Sequence, residues 1–331
     1  MIIFVSVVLC VVSMQVGAQC PAGCTCANRI ATCEEIDYLP LATEFPNDTQ
    51  EFIFRNCDYS TKLPKMPYPQ ATKVLIISSG VLEFDEKPFE DMPLLTQLDL
   101  HHNAIEDLPP NVFAGLSNLE SLVVIGTALQ SISSEHFAGL SKLRTLDLSY
   151  NRYLRFDKTE LASLSLERLD LVGCELPDAQ LVTADAQFSV TQLVLRENKI
   201  RMLQNDAFAG VKNLQHVVLS NNSIDDVATG AFAGLAQLQV LDLDMNQVSE
   251  LPEEVFDATV ALTSINLMHN NLELLDVSDR LNTALSSVKH RIPCAIDISV
   301  LNIRAAGVSG LAESQWKPVD VQLQHSVADV V

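Results

Sequence analysis

One apolar pattern recurs ten times between Thr49 and Leu272, and this recurrence limits the possible folds more than any composition figure does. Aligned on Leu95, the unit has apolar residues at its first, fourth, sixth and eleventh positions and Asn at its ninth: Leu95, Leu98, Leu100, Ile105 and Asn103. The units start at Thr49, Ala71, Leu95, Leu119, Leu143, Leu166, Val190, Leu214, Leu238 and Leu262. Seven of the nine intervals are 24 residues long, and the other two are 22 and 23. An internal period of this length signals a stack of like units, not a pair of independent globular domains. Apolar residues two apart alternate as a strand requires, so Leu98 and Leu100 are expected to point inward and Asp99 outward. One unit cannot bury such a row alone. Stacked neighbours bury it jointly, so stability accumulates along the array and its two ends need covering.

Six of the ten ninth positions are Asn (Asn103, Asn151, Asn198, Asn222, Asn246 and Asn270), and the others are Cys57, Ser79, Thr127 and Cys174. An amide side chain donates and accepts, so it can satisfy backbone groups freed where the chain leaves its strand. Cys57 and Cys174, at the same inward position, are expected to be buried structural thiols. Phe89, Phe113 and Phe137 are 24 apart, as are Phe208, Phe232 and Phe256, which predicts an aromatic spine under the convex side. The slots between the runs, near Leu161 and Ala184, lack an aromatic residue, so the middle of the array is expected to be irregular. The pattern L-x-x-L-x-L-x-x-N-x-L and its period resemble those of leucine-rich repeats. That resemblance implies an α/β solenoid: a horseshoe of about ten repeats over residues 49–274, with a parallel sheet on its concave face.

The two ends read differently. An apolar run from Ile2 to Val12, followed by Val16-Gly17-Ala18, has the form of a secretory signal peptide over residues 1–18, although the amino terminus supplies its only positive charge. The expected product is secreted and extracellular. Residues 19–48 contain Cys20, Cys24, Cys26 and Cys33, a density that signals disulfides in an oxidising compartment. The spacing C-x3-C-x-C-x6-C is not that of a zinc finger, so no metal is expected. Four cysteines allow three pairings. These residues resemble the N-terminal cap of extracellular leucine-rich-repeat proteins such as Toll-type receptors, Slit and small proteoglycans. The resemblance implies bridges Cys20–Cys26 and Cys24–Cys33. Residues 275–331 fall outside the repeat, and Val277, Leu281, Leu285, Val288 and Ile292 are spaced as an amphipathic helix. Cys294, left without an obvious partner, is a candidate for an intermolecular disulfide and hence a linked dimer. In this tail the chain is similar to secreted leucine-rich immune proteins of insects.

With Asp+Glu 42 against Lys+Arg 21, the formal net charge is -21, which repels a phosphate backbone and argues against nucleic acid as a partner. No stretch after the leader is long and apolar enough to cross a bilayer, so no membrane insertion is expected. No nucleophile elbow, phosphate loop or zinc-protease motif is present, and His101-His102 lack a converging second cluster. An enzyme is therefore not expected, nor is a cofactor. Binding residues belong on the concave face, where the fifth, seventh and eighth slots give Ile53, Leu75, Ile77, His101, Val123, Ile125, Tyr150 and Val172 as candidates. They suggest an exposed apolar first half, of the kind that marks interaction sites, beside acidic rows from Asp147 and Asp170 to Asp242 and Asp244. The sequence holds two glycosylation sequons, at Asn47 and Asn221. The reading that follows is a secreted recognition factor, with an innate immune role in view, that captures a protein ligand or a microbial surface molecule. An extracellular matrix or adhesion component and a truncated receptor ectodomain remain open as alternatives.

Overall fold

The computed structural model describes residues 20–59, 62–155, 160–161, 164–181 and 188–272. The signal peptide expected at 1–18 and the tail helix and Cys294 expected within 275–331 lie outside them. The cap opens with a hairpin of β1 (Cys24–Ala27) and β2 (Ile30–Glu34), closed by Asn28 and Arg29. Both turn residues have positive φ, the backbone a two-residue hairpin loop needs to match strand twist. The disulfides are Cys20–Cys26 and Cys24–Cys33, the pairing that the family resemblance implies.

Each repeat start is followed, two residues on, by a strand. These are β3 (Glu51–Arg55), β5 (Lys73–Ile77), β7 (Gln97–Asp99), β8 (Ser121–Val123), β9 (Thr145–Asp147), β10 (Arg168–Asp170), β11 (Gln192–Val194), β13 (His216–Val218), β15 (Val240–Asp242) and β16 (Ser264–Asn266). They form one parallel sheet in chain order, continuous with the cap because β2 pairs parallel to β3. Short strands in the return segments pair as β4 (Lys62–Leu63) with β6 (Glu83–Phe84), and β12 (Met202–Leu203) with β14 (Asp226–Val227). The expected α-component is slight, since no α-helix occurs among the described residues and the helical turns there are of the 3-10 kind, as at Ala42–Glu44 and Ser134–Phe137. A return of about a dozen residues can be closed by turns alone, and no apolar face of helical period requires more.

Burial follows the pattern position by position. Leu98 and Leu100 are sealed in the core while Asp99 between them is half-exposed, and the same alternation runs along the array. The ninth position builds a ladder. Asn246 accepts at Oδ1 from the Ile224 N–H (3.0 Å) and donates from Nδ2 to the carbonyls of Leu219 and Leu243 (both 3.0 Å), one in the previous turn and one in its own. Asn103, Asn151, Asn198, Asn222 and Asn270 also donate both backward and within their own turn. Cys174 occupies the slot with a thiol 3.2 Å from the Leu148 carbonyl oxygen, and burial pushes that thiol up to about 12, so it remains protonated. Cys57 is buried in the same way.

The phenylalanine spine is present but shorter than expected. Phe208, Phe232 and Phe256 stack at centroid distances of 6.0 and 5.8 Å, and Phe89 stacks on Phe113 at 6.1 Å. Phe137 is buried but has its ring contact with His136. Leu161 fills the first non-aromatic slot, fully buried, and the second slot at Ala184 lies outside the described residues. Nearest the cap the spine gives way to a cluster not evident from the spacing: Phe52 stacks on Tyr68 at 4.4 Å, Phe45 meets both edge-on, and the Tyr68 hydroxyl donates to the Pro40 carbonyl at 2.7 Å.

Candidate binding face on the concave sheet

Strand pairing places the fifth positions of successive repeats side by side. The row reads Ile53, Leu75, Asp99, Val123, Asp147, Asp170, Val194, Val218, Asp242 and Asn266. Neighbours in such a row are separated by the strand spacing of about 4.8 Å. The apolar first half is therefore interrupted: Asp99, joined to His101 at 2.7 Å, stands between Leu75 and Val123. Nor is it freely exposed. Ile77 and Ile125 keep only 9% and 6% of their surface, and Ile53, Leu75, Val123 and Val172 are half-buried. Neighbouring side chains on adjacent strands cover one another, which a reading of single positions does not register. Val194 and Val218, at 8% and 6%, form a second apolar pair in the other half that the sequence reading passed over, although they occupy the same fifth slot. Ile77, Ile125, Val194 and Val218 are all buried yet lie outside the solenoid's core cluster.

The centre of the face is polar and tightly coupled. Arg168 grips Asp170 with two donors, Nε at 2.7 Å and Nη2 at 2.9 Å, and its Nη1 reaches the Gln192 side-chain oxygen at 3.3 Å. On the next strand, His216 follows Gln192 in the row. Burial and the charge of Arg168 push the His216 imidazole down, keeping it neutral, and its Nδ1 is buried without a hydrogen-bond partner. Asp147 stands beside Asp170. Burial pushes its carboxyl up to about 6, the Asp170 charge adds to the rise, and the Ser149 hydrogen bonds and Arg168 oppose it. Burial likewise raises Asp242. The acidic rows were legible in the sequence; the Arg168 clasp at the third position was not.

The shift at Asp147 has a definite sign. A carboxyl that holds its proton more tightly folded than unfolded adds stability as pH falls through about 6, and the gain is complete below the ordinary carboxylate range. Above 6 the buried charge is a standing cost. Asp147→Asn should therefore stabilise the protein at pH 7.5 by about 1 to 2 kcal/mol, allowing for partial solvent screening, with the difference fading near pH 4. Urea midpoints measured at both pH values check this; a difference that did not shrink on acidification would contradict it.

The edge where the chain leaves the sheet is equally regular. All ten eighth positions (Asn56, Ser78, His102, Gly126, Tyr150, Gly173, Glu197, Asn221, Met245 and His269) have a φ between 50° and 64°. Two aromatic rings lie along this trailing rim. A Cβ on Gly126 would meet the His102 ring at 2.7 Å, and one on Gly173 would meet the Tyr150 ring at 2.7 Å. The Tyr150 hydroxyl reaches the Glu197 carboxylate at 3.3 Å, spanning two repeats. His269 pairs with Asp244 at 2.8 Å. Thus Asp99, His101, Asp147, Tyr150 and Asp170 share one face. Among the described residues no group of three or more His, Cys, Asp or Glu is placed to hold a metal ion, and no helix is long and apolar enough to cross a membrane. Asn47 and Asn221 are both exposed.

Comparison with known proteins agrees with this geometry. A family model described as "Leucine rich repeat" matches residues 69–129, 117–176, 188–248 and 212–272. Trophoblast glycoprotein of Macaca fascicularis is 27% identical over 239 residues, covering 60% of this chain and 54% of that protein. Biglycan of Xenopus laevis is 22% identical over 220 residues, covering 57% and 58% respectively. The chain thus spans about half the length of the curated relatives it matches. Two solved structures share the fold: a TLR13–ssRNA13 complex (TM-score 0.62, 22% identity, covering 70% of this chain and 33% of that one) and the Drosophila Toll–Spatzle complex (TM-score 0.59, 20% identity, 77% and 39%). Four matched segments cover more than half of the sequence, with the strand ladder and cap disulfides in the places that such repeats require, and the chain belongs to the leucine-rich repeat family.

Proposed function

We propose that this protein is exported by its 1–18 leader and acts as a soluble extracellular recognition factor that binds a protein ligand on the concave face. One observation carries the reading. Asp147 and Asp170 stand side by side on the sheet, half-buried or buried, with Asp147 near 6 although Arg168 clasps Asp170 and Ser149 donates to Asp147. Such an arrangement costs stability and contributes nothing to the core, which is the mark of groups retained for recognition. Around them, Ile77 and Ile125, which flank His101 in the seventh row, and the neighbouring Val194 and Val218 supply apolar area, and Tyr150 adds a residue type enriched in interface hot spots. Toll, a fold neighbour, is seen with the protein Spatzle in a structure described as a hub of development and innate immunity, and this supports a protein ligand and an immune setting. TLR13 holds single-stranded RNA, but a net charge of -21 here works against a phosphate ligand. A second reading, a matrix or adhesion component, rests on the likeness of the cap and repeats to those of small proteoglycans.

The test is capture from extracellular fluid on the immobilised chain, comparing the unmodified protein with the paired change Arg168→Gln and Asp170→Asn. Removing both partners avoids leaving one buried charge unpaired. Met202→Ala, on the return strand β12, is the control. Loss of the captured protein in the paired variant alone, with circular dichroism unchanged, is the expected result. Undiminished capture by the paired variant would remove the central face from consideration.

A further inference from the structure

Asn221 is the eighth residue of its repeat, so it stands on the trailing rim directly after β13. Its side chain is exposed, its φ of 56° is one that Asn tolerates, and its own N–H donates to the Asp244 carbonyl at 2.9 Å. The next residue, Asn222, is locked in the buried ladder and holds the sequon in place. Asn47 precedes β3 and therefore lies at the opposite, leading edge of the sheet, beside the cap. Along the trailing rim the row continues from Tyr150 over Gly173 to Glu197, then Asn221, then Met245 and His269.

We infer that Asn221 carries an N-linked glycan that lies along the trailing rim and closes the face from β13 to β16 to macromolecular partners. The inference rests on the export reading above, since the glycan is added only to a chain that enters the secretory route. An N-linked sugar is bulky and solvated, and a partner cannot pack against the sheet beneath it. The rim from Asn56 to Gly173 contains no sequon and stays open. This assigns partner contact to the span from β5 to β10, where Ile77, His101, Ile125, Tyr150 and the Arg168 clasp lie, and leaves Val194 with Val218 at its margin.

Met245 is the probe. It follows Asn221 in the row and is 48% exposed, whereas Met202, on a return strand, is 45% exposed and distant from the rim. The full chain is produced as a secreted protein in a eukaryotic host, and sugar at Asn47 and Asn221 is read by peptide mass spectrometry before and after enzymatic release. Hydroxyl-radical labelling then compares Met245 with Met202 in the unmodified chain, in Asn221→Gln and in Ser223→Ala, which deletes the sequon but keeps Asn221. The expected result is an occupied Asn221 and a several-fold rise in Met245 oxidation in both variants, with Met202 unchanged. Sugar at Asn47 but not Asn221 overturns the inference alone. A secreted chain with sugar at neither site also overturns the inference alone, whereas a chain retained inside the cells with sugar at neither site overturns it together with the export reading. An occupied Asn221 with equal Met245 labelling overturns the shielding.

Discussion

Phe232→Ala should lower the unfolding free energy by about 4 kcal/mol. The Phe232 side chain is fully buried and lies between two parallel rings, Phe208 at 6.0 Å and Phe256 at 5.8 Å. Truncation removes the transfer energy of the ring, leaves a cavity spanning three repeats and breaks two stacking contacts at once. Neighbouring turns are fixed by their own ladders, so collapse into the cavity is limited. Urea titration followed by circular dichroism measures the loss; a cost below about 1 kcal/mol would mean that the spine packs loosely, against the burial seen here.

Asn246→Leu should cost about 3 kcal/mol, at the upper end for a buried polar group left without partners. The substitution is nearly equal in size, so the loss isolates hydrogen bonding from volume. It strands the Ile224 N–H and takes one of two amide donors from each of the carbonyls of Leu219 and Leu243, which keep only Asn222 and Asn270. Asn246→Asp separates the parts, since a carboxylate can still accept from Ile224 but cannot donate to the carbonyls. An unchanged denaturation midpoint for the Leu variant would show that these backbone groups find other partners.

The repeat was legible because its physics is local and periodic. Ten starts gave ten strands, Leu98 and Leu100 point inward as alternation demands, and the Asn ladder bonds to both turns. The face was legible only in part, because exposure depends on neighbours some 24 residues away. Ile77 and Ile125 occupy outward slots, yet both are buried in the folded array. The Arg168–Asp170 clasp joins residues two apart on one strand, a spacing that becomes informative only once both are known to lie on the same side. The form of the return segments was not legible, since the family pattern names a return without dictating its form. The Phe45, Phe52 and Tyr68 cluster had no periodic signal, because it caps the spine instead of extending it.

One irregularity in spacing bears on how such a chain can change. The interval from Leu143 to Leu166 is 23 residues and that from Thr49 to Ala71 is 22, yet Thr145 still faces Arg168 and Glu51 still faces Lys73 across the sheet. The shortfall therefore falls outside the paired strands, in the return segments. Insertions and deletions there leave every concave neighbour in place, whereas the loss of one residue within a strand would turn its outward side chains into the core. The two sides of the molecule can therefore diverge at different rates: the back in length, the front only in residue identity.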